Sequence, residues 1–155
     1  MGEYRATIQW SSSATPVDFL KGRYSREHTW QFDGGVTLPA SSSPSVVPAP
    51  WSNPAGVDPE EGFVASLSSC HMLTFVYLAM KAGFVVTSYR DDAVGTMTKP
   101  PGGTPWISRV VLAPVIEYAD KRPSAEEEAK LHHAAHHDCY IAASVKTEVE
   151  VRGIA

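Results

Sequence analysis

The chain has 155 residues, of which 43% are hydrophobic and 19% charged. These proportions suit one soluble domain with a single sizeable core and argue against disorder along its length. Net charge is −4 with no run of lysines or arginines. The basic stripe that a nucleic-acid partner requires is therefore missing, and a small-molecule ligand is the better fit.

Met1 to Trp10 holds Glu3 and Arg5 in an alternating pattern and lacks the apolar run of a secretory leader. The longest apolar-leaning stretch, Leu73 to Ala82, is too short to span a bilayer. The expectation is a cytoplasmic protein with no membrane partner, whose two cysteines are reduced at rest. Two cysteines make no disulfide framework for a chain of this size. They are core residues or they do chemistry.

In chain order, Met1 to Trp10 reads as a strand, with Tyr4, Ala6, Ile8 and Trp10 on one face. Ser11 to Gly22 is turn-rich. His28 to Phe32 is a second strand, and Asp33-Gly34-Gly35 turns the chain into a hairpin partner at Val36 to Leu38. Pro39 to Pro59 is a long irregular connection dense in proline, serine and alanine, of the kind that often covers a site.

A helix follows. Asp58 is a good N-cap, Pro59 suits the first helical position, and Glu61 completes a capping box. The helix should run to about Ala82 and stop at Gly83. Phe63, Val64, Leu67, Met72, Leu73, Phe75, Val76, Leu78 and Met80 cover most of its circumference, so it is expected to be buried on all sides.

Phe84 to Tyr89 and Ala93 to Thr98 read as strands. Lys99 to Thr104 is a turn, and Trp106 to Tyr118 is one strand, irregular at Pro114. Ser124 caps a second helix with Glu127 at the capping-box position, ending near Cys139. Ile141 to Val151 alternates as a final half-exposed strand. The order predicts one α+β domain over residues 1–155, with sheet wrapped on helices.

Cys70 lies about three turns into the first long helix, beyond the reach of the helix dipole, so a thiolate there needs a cation from another segment. Read alone it is a small core hydrophobe, as is Cys139. Together they can form a peroxidatic and resolving pair if the fold joins them. The pairs His132/His136 and His133/His137 can each share a helix face and bind a divalent metal. The same helix lacks the glutamate of a His-Glu-x-x-His motif, and no CxxC accompanies it, so a solvated polar face is preferred to a metal site.

The segment Asp58-Pro59-Glu60-Glu61-Gly62-Phe63-Val64-Ala65-Ser66-Leu67-Ser68-Ser69-Cys70 resembles the OsmC/Ohr family of organic hydroperoxide resistance proteins. There a Pro-Glu dipeptide opens the central helix, and the peroxidatic cysteine lies ten positions past the glutamate, as Cys70 does past Glu60. Ala134-Ala135-His136-His137-Asp138-Cys139 is similar to the family segment that ends in the resolving cysteine. The resemblance covers almost the whole chain. It implies antiparallel sheets around a buried central helix and an intertwined homodimer. It further implies an arginine from an N-terminal loop, held by Glu60, that contacts the Cys70 thiolate. Arg26 is favoured for that role, with Arg23 as its rival.

By this resemblance the chain is an organic hydroperoxide reductase that needs no cofactor. Cys70 attacks the peroxide, Cys139 resolves it, and a dithiol reductant restores the thiols. Three features depart from the family pattern: Tyr140 follows Cys139 where proline is common, His71 follows Cys70 where an apolar residue is usual, and the second glycine-rich arginine pattern of the Ohr branch is altered. Two other readings stay open. One is a non-catalytic protein of the same fold that binds an apolar small molecule, and the other is a metal-binding module on the histidine-rich helix.

Overall fold

The computed structural model describes residues 2–153, and the start of the first expected strand, Met1, lies outside them. By its contacts the chain divides into two compact units, one ending at Gly62 and the other beginning at Phe63.

The first unit holds β1 (Ala6–Gln9), α1 (Pro16–Leu20), β2 (His28–Phe32) and β3 (Thr37–Ala40). The three strands form an antiparallel sheet in chain order, with Ile8 opposite Trp30 and Trp30 opposite Leu38. The expected hairpin turn closes with the Phe32 amide donating to the Val36 carbonyl at 2.9 Å, and Gly35 takes the left-handed conformation at φ 87°. Within the turn-rich stretch lies one helical turn the sequence reading did not resolve, α1. Thr15 caps it by accepting from the Asp18 amide at 3.2 Å.

The long proline-rich connection is ordered and folded back on β3. Val57 donates to the Pro39 carbonyl, Ser41 donates to Val57, and the Asn53 amide donates to the buried Ser41 hydroxyl at 2.9 Å. At Gly62, a Cβ would stand 2.5 Å from the Trp30 ring. Only glycine lets the tryptophan lie against the first turn of the following helix.

That helix is α2 (Pro59–Lys81), and its first turn belongs to the first unit. The Glu61 amide donates to Asp58 Oδ1 at 2.8 Å, and the Asp58 amide donates to Glu61 Oε2 at 3.2 Å, so the expected capping box is complete. The helix ends where expected: Gly83 has φ 83°, and the Phe84 amide donates back to Ala79 at 3.0 Å.

The second unit continues through α2 into β4 (Val85–Asp91), β5 (Val94–Thr98), β6 (Trp106–Leu112), β7 (Pro114–Ala119), α3 (Ala125–His137), α4 (Tyr140–Ala143) and β8 (Glu148–Val151). β4 pairs antiparallel with β7. β5, β6 and β8 form a second sheet in which β5–β6 is antiparallel and β6–β8 runs parallel. Each sheet packs on its own stretch of α2. Leu67 meets Val110, Leu112 and Val151, while Phe75 and Ala79 meet Phe84, Ile116 and Ala135.

Three expectations change. The Trp106 to Tyr118 run is two strands in different sheets, parted at Ala113. Pro114 supplies no amide there, and the Ala113 amide is taken by the Asp91 carboxylate at 2.6 Å. The alternating run from Ile141 is a helical turn followed by a four-residue strand, because Cys139 caps α4 and Ile141, Ala142 and Val145 pack inward. The central helix is not buried on all sides within this chain. Leu67, His71, Phe75 and Ala79 form one buried stripe, while Leu73, Tyr77 and Met80 are 64%, 54% and 58% exposed. By length and composition α2 could cross a bilayer. Its stripe of core contacts, with a hydrogen-bonded histidine in the middle, makes it the core helix of the second unit.

Candidate functional site

Cys70 sits mid-way along α2, half-buried, and Cys139 follows α3 and is fully buried; both are free thiols. The fold brings them together within the second unit. Burial pushes the Cys139 thiol above its ordinary pKa, and the neighbouring Cys70 thiol raises it further. The Ala142 amide donates to Cys139 Sγ at 3.4 Å, since Cys139 is the N-cap of α4. Cys139 is thus a protonated, sheltered thiol and Cys70 the more accessible one. An open groove of about 550 Å³ reaches Cys139, with Leu73, Thr74, Tyr77, His137 and Tyr140 among its walls.

In the first unit, Arg26 and Glu60 line one cavity of about 470 Å³ with Trp10, Phe19, Tyr24 and His28. The Arg26 guanidinium donates to the backbone carbonyls of Gly22, at 2.9 Å, and Tyr24, and lies 3.6 Å over the Tyr24 ring. This loop fixes Arg26 without help from Glu60, and among the described residues no ion pair joins the two. Trp10, Phe19 and Tyr24 pack on one another with ring centroids 4.5 to 6.1 Å apart. Arg23 points elsewhere. It is exposed and pairs with Asp18 on α1 at 3.7 Å. His28 lies between two partners, its Nδ1 2.8 Å from the Arg26 carbonyl and its Nε2 accepting from Trp30 Nε1 at 3.0 Å.

The histidine-rich helix is arranged differently from the expected i,i+4 pairs. His132 is buried and turns to α2, where its Nδ1 lies 3.0 Å from His71 Nε2, with the rings nearly parallel at 8°. His133, His136 and His137 are exposed, and among the described residues no group of three or more histidine, cysteine or acidic side chains could hold a metal ion. Burial lowers the pKa of both His71 and His132 to about 4. The positive charge that His136 would carry adds to the effect on His71, while Asp91 opposes it; for His132 the further contributions come from His71 and His133. The sequence marked His71 only as a departure. Its partner was not legible, because the two lie 61 residues apart.

The family profile described as OsmC-like protein matches residues 52–152. The chain belongs to the OsmC-like family. An OsmC-like protein of unknown function from Vibrio cholerae is 46% identical, with a TM-score of 0.92, and the match covers 98% of this chain and 99% of that one. An organic hydroperoxide resistance protein from Elizabethkingia anophelis is 18% identical at TM-score 0.71, covering 98% and 94%. The organic hydroperoxide resistance protein OsmC of Legionella pneumophila is 14% identical at TM-score 0.70, covering 97% and 94%. These two likenesses establish the OsmC-like fold. No curated protein matches the chain. The α+β architecture, with its sheets and core helix, is thus that of a family in which some members are named for hydroperoxide resistance.

Proposed function

We propose that the protein is a cytoplasmic, dithiol-dependent peroxidase for organic hydroperoxides. The observation that carries this reading is the pairing of an accessible Cys70 with a buried, protonated Cys139 in one unit. The Cys70 thiolate attacks the distal peroxide oxygen, the O–O bond breaks, and the alkoxide leaves and takes a proton as alcohol. Cys70 is then a sulfenic acid. The Cys139 thiol condenses with it, giving the Cys70–Cys139 disulfide and water. A dithiol returns both thiols by two exchange steps and is itself oxidised to a disulfide. The high pKa of Cys139 supports this division of labour, because a protonated thiol does not compete for the peroxide.

Arg26 is assigned to stabilise the Cys70 thiolate, because a guanidinium is always charged. Its fixed position among carbonyls and the Tyr24 ring supports Arg26 over Arg23, and its sharing of a cavity with Glu60 supports a joint role for the two. Arg26→Ala is expected to slow alkylation of Cys70 by iodoacetamide at neutral pH, measured in a Cys139→Ser background. A slower reaction in Arg23→Ala alone would reassign the role.

The deciding experiment mixes reduced protein with one equivalent of an organic hydroperoxide and measures intact mass and free thiols. Loss of two thiols with an intramolecular disulfide supports the peroxidase. Two thiols surviving excess peroxide would overturn it and leave a binding protein for an apolar small molecule, which the aromatic walls of the Arg26 cavity would suit.

A further inference from the structure

Phe75, Leu78 and Ala79 of α2 share one apolar cluster with Leu131 and Ala135 of α3. A polar contact joins the same two helices, the hydrogen bond between His71 Nε2 and His132 Nδ1 at 3.0 Å. Both rings are at least 97% buried, and His132 also stacks on Phe75 with centroids 4.2 Å apart. His71 Nδ1 is buried with no partner. That orphan decides the direction of the bond. If His132 donated, His71 would carry its proton on Nδ1 as a stranded donor, at a cost of about 1–3 kcal/mol. With His71 donating from Nε2, the orphan is only an acceptor, the cheaper fault. His71 therefore donates and His132 accepts.

The bond sits beside the two thiols in sequence. His71 follows Cys70 on α2, and His132, Ala135 and Cys139 are the buried positions along α3 and its end. Apolar side chains alone define the axial position of one helix on another loosely, because their contacts are non-directional. A disulfide tolerates little slack, since Cβ atoms must lie about 3.5–4.5 Å apart, while a slip of one residue moves a helix by about 1.5 Å. We infer that the His71–His132 hydrogen bond is a positioning pair that fixes α3 on α2 so that Cys139 meets Cys70 in closing the disulfide. The inference deepens the peroxidase reading and rests on it for its biological purpose. The effective concentration of one thiol at the other can be measured without any peroxide.

The test equilibrates the full chain in glutathione redox buffers and reads the Cys70–Cys139 disulfide by intact mass. His71→Leu, which keeps an apolar side chain and loses the bond, is expected to lower the effective concentration at least tenfold, equivalent to about 30 mV for a two-electron couple. His71→Gln can still donate an N–H to His132 and should recover most of the loss. The double variant His71→Leu/His132→Leu should be no worse than His71→Leu alone. Should His71→Leu not fold, His132→Leu removes the same bond from α3. A change within twofold on losing the bond would overturn the inference, as would equal losses in the leucine and glutamine variants that follow melting temperature. Failure of the peroxidase reading shows separately, as thiols that survive hydroperoxide but still form the disulfide in glutathione.

Discussion

His71 and His132 are neutral because ionising either would place a charge in the core. Each has its pKa lowered from 6.5 to about 4. A base depressed in the folded state binds protons more readily when unfolded, so its stabilising effect is complete above about pH 6.5. It is lost as pH falls from 6.5 towards 4. A shift of this size corresponds to on the order of 3 kcal/mol for one imidazole. The charges facing the pair are those of His133 and His136 on α3 and Asp91 on β4. Urea unfolding at pH 7 and pH 4.5 should show a marked drop in midpoint for the natural chain. The drop should be smaller for His71→Leu/His132→Leu, which has no buried imidazole to charge. An equal drop in both would place the acid sensitivity in other groups. This pair also marks where reading the chain residue by residue stops. The family resemblance singled out Cys70 and Glu60 by motifs that lie on one helix and favoured Arg26 among the loop arginines, all of them read from local sequence. A hydrogen bond between two helices leaves no local trace, so His132 read as a partner for His136.

Elements whose ends are set by their own side chains were legible. α2 and α3 begin with a capping residue and a glutamate three positions on, and both capping boxes form. Asp58→Ala should cost about 1–2 kcal/mol, at the upper end for a cap because Asp58 is buried. Ser124→Ala, at the exposed start of α3, should cost about 1 kcal/mol or less, and thermal unfolding of the two variants checks the order. Elements defined by distant partners were less legible. β6 and β7 read as one strand because their alternation is continuous, and only the pairing of β4 with β7 and of β6 with β5 and β8 separates them. β8 is four residues long, and its parallel partner β6 lies about 40 positions earlier. The short helices α1 and α4 fell below the length at which helical periodicity shows.

At the scale of the whole molecule, the departure of α2 from all-round burial is informative. Leu73, Tyr77 and Met80 are too apolar for a solvent face, and their exposure in one chain leaves an apolar surface without a cover. A second copy of the chain is the expected cover, consistent with the homodimer that the family resemblance implies. Leu73 and Tyr77 are also walls of the groove that reaches Cys139, so a partner seated there would shield that thiol. The protein is expected to sediment as a dimer at micromolar concentration. Leu73→Glu/Tyr77→Glu removes two anchors, each worth roughly 1.5–3 kcal/mol when buried, and introduces two charges. Dimer dissociation should therefore rise by about 100-fold or more, giving monomer at the same concentration. Alkylation of Cys139 in a Cys70→Ser background should quicken in step with the monomer fraction. Monomer without faster alkylation would separate assembly from thiol access, and a variant still dimeric would place the interface on another face.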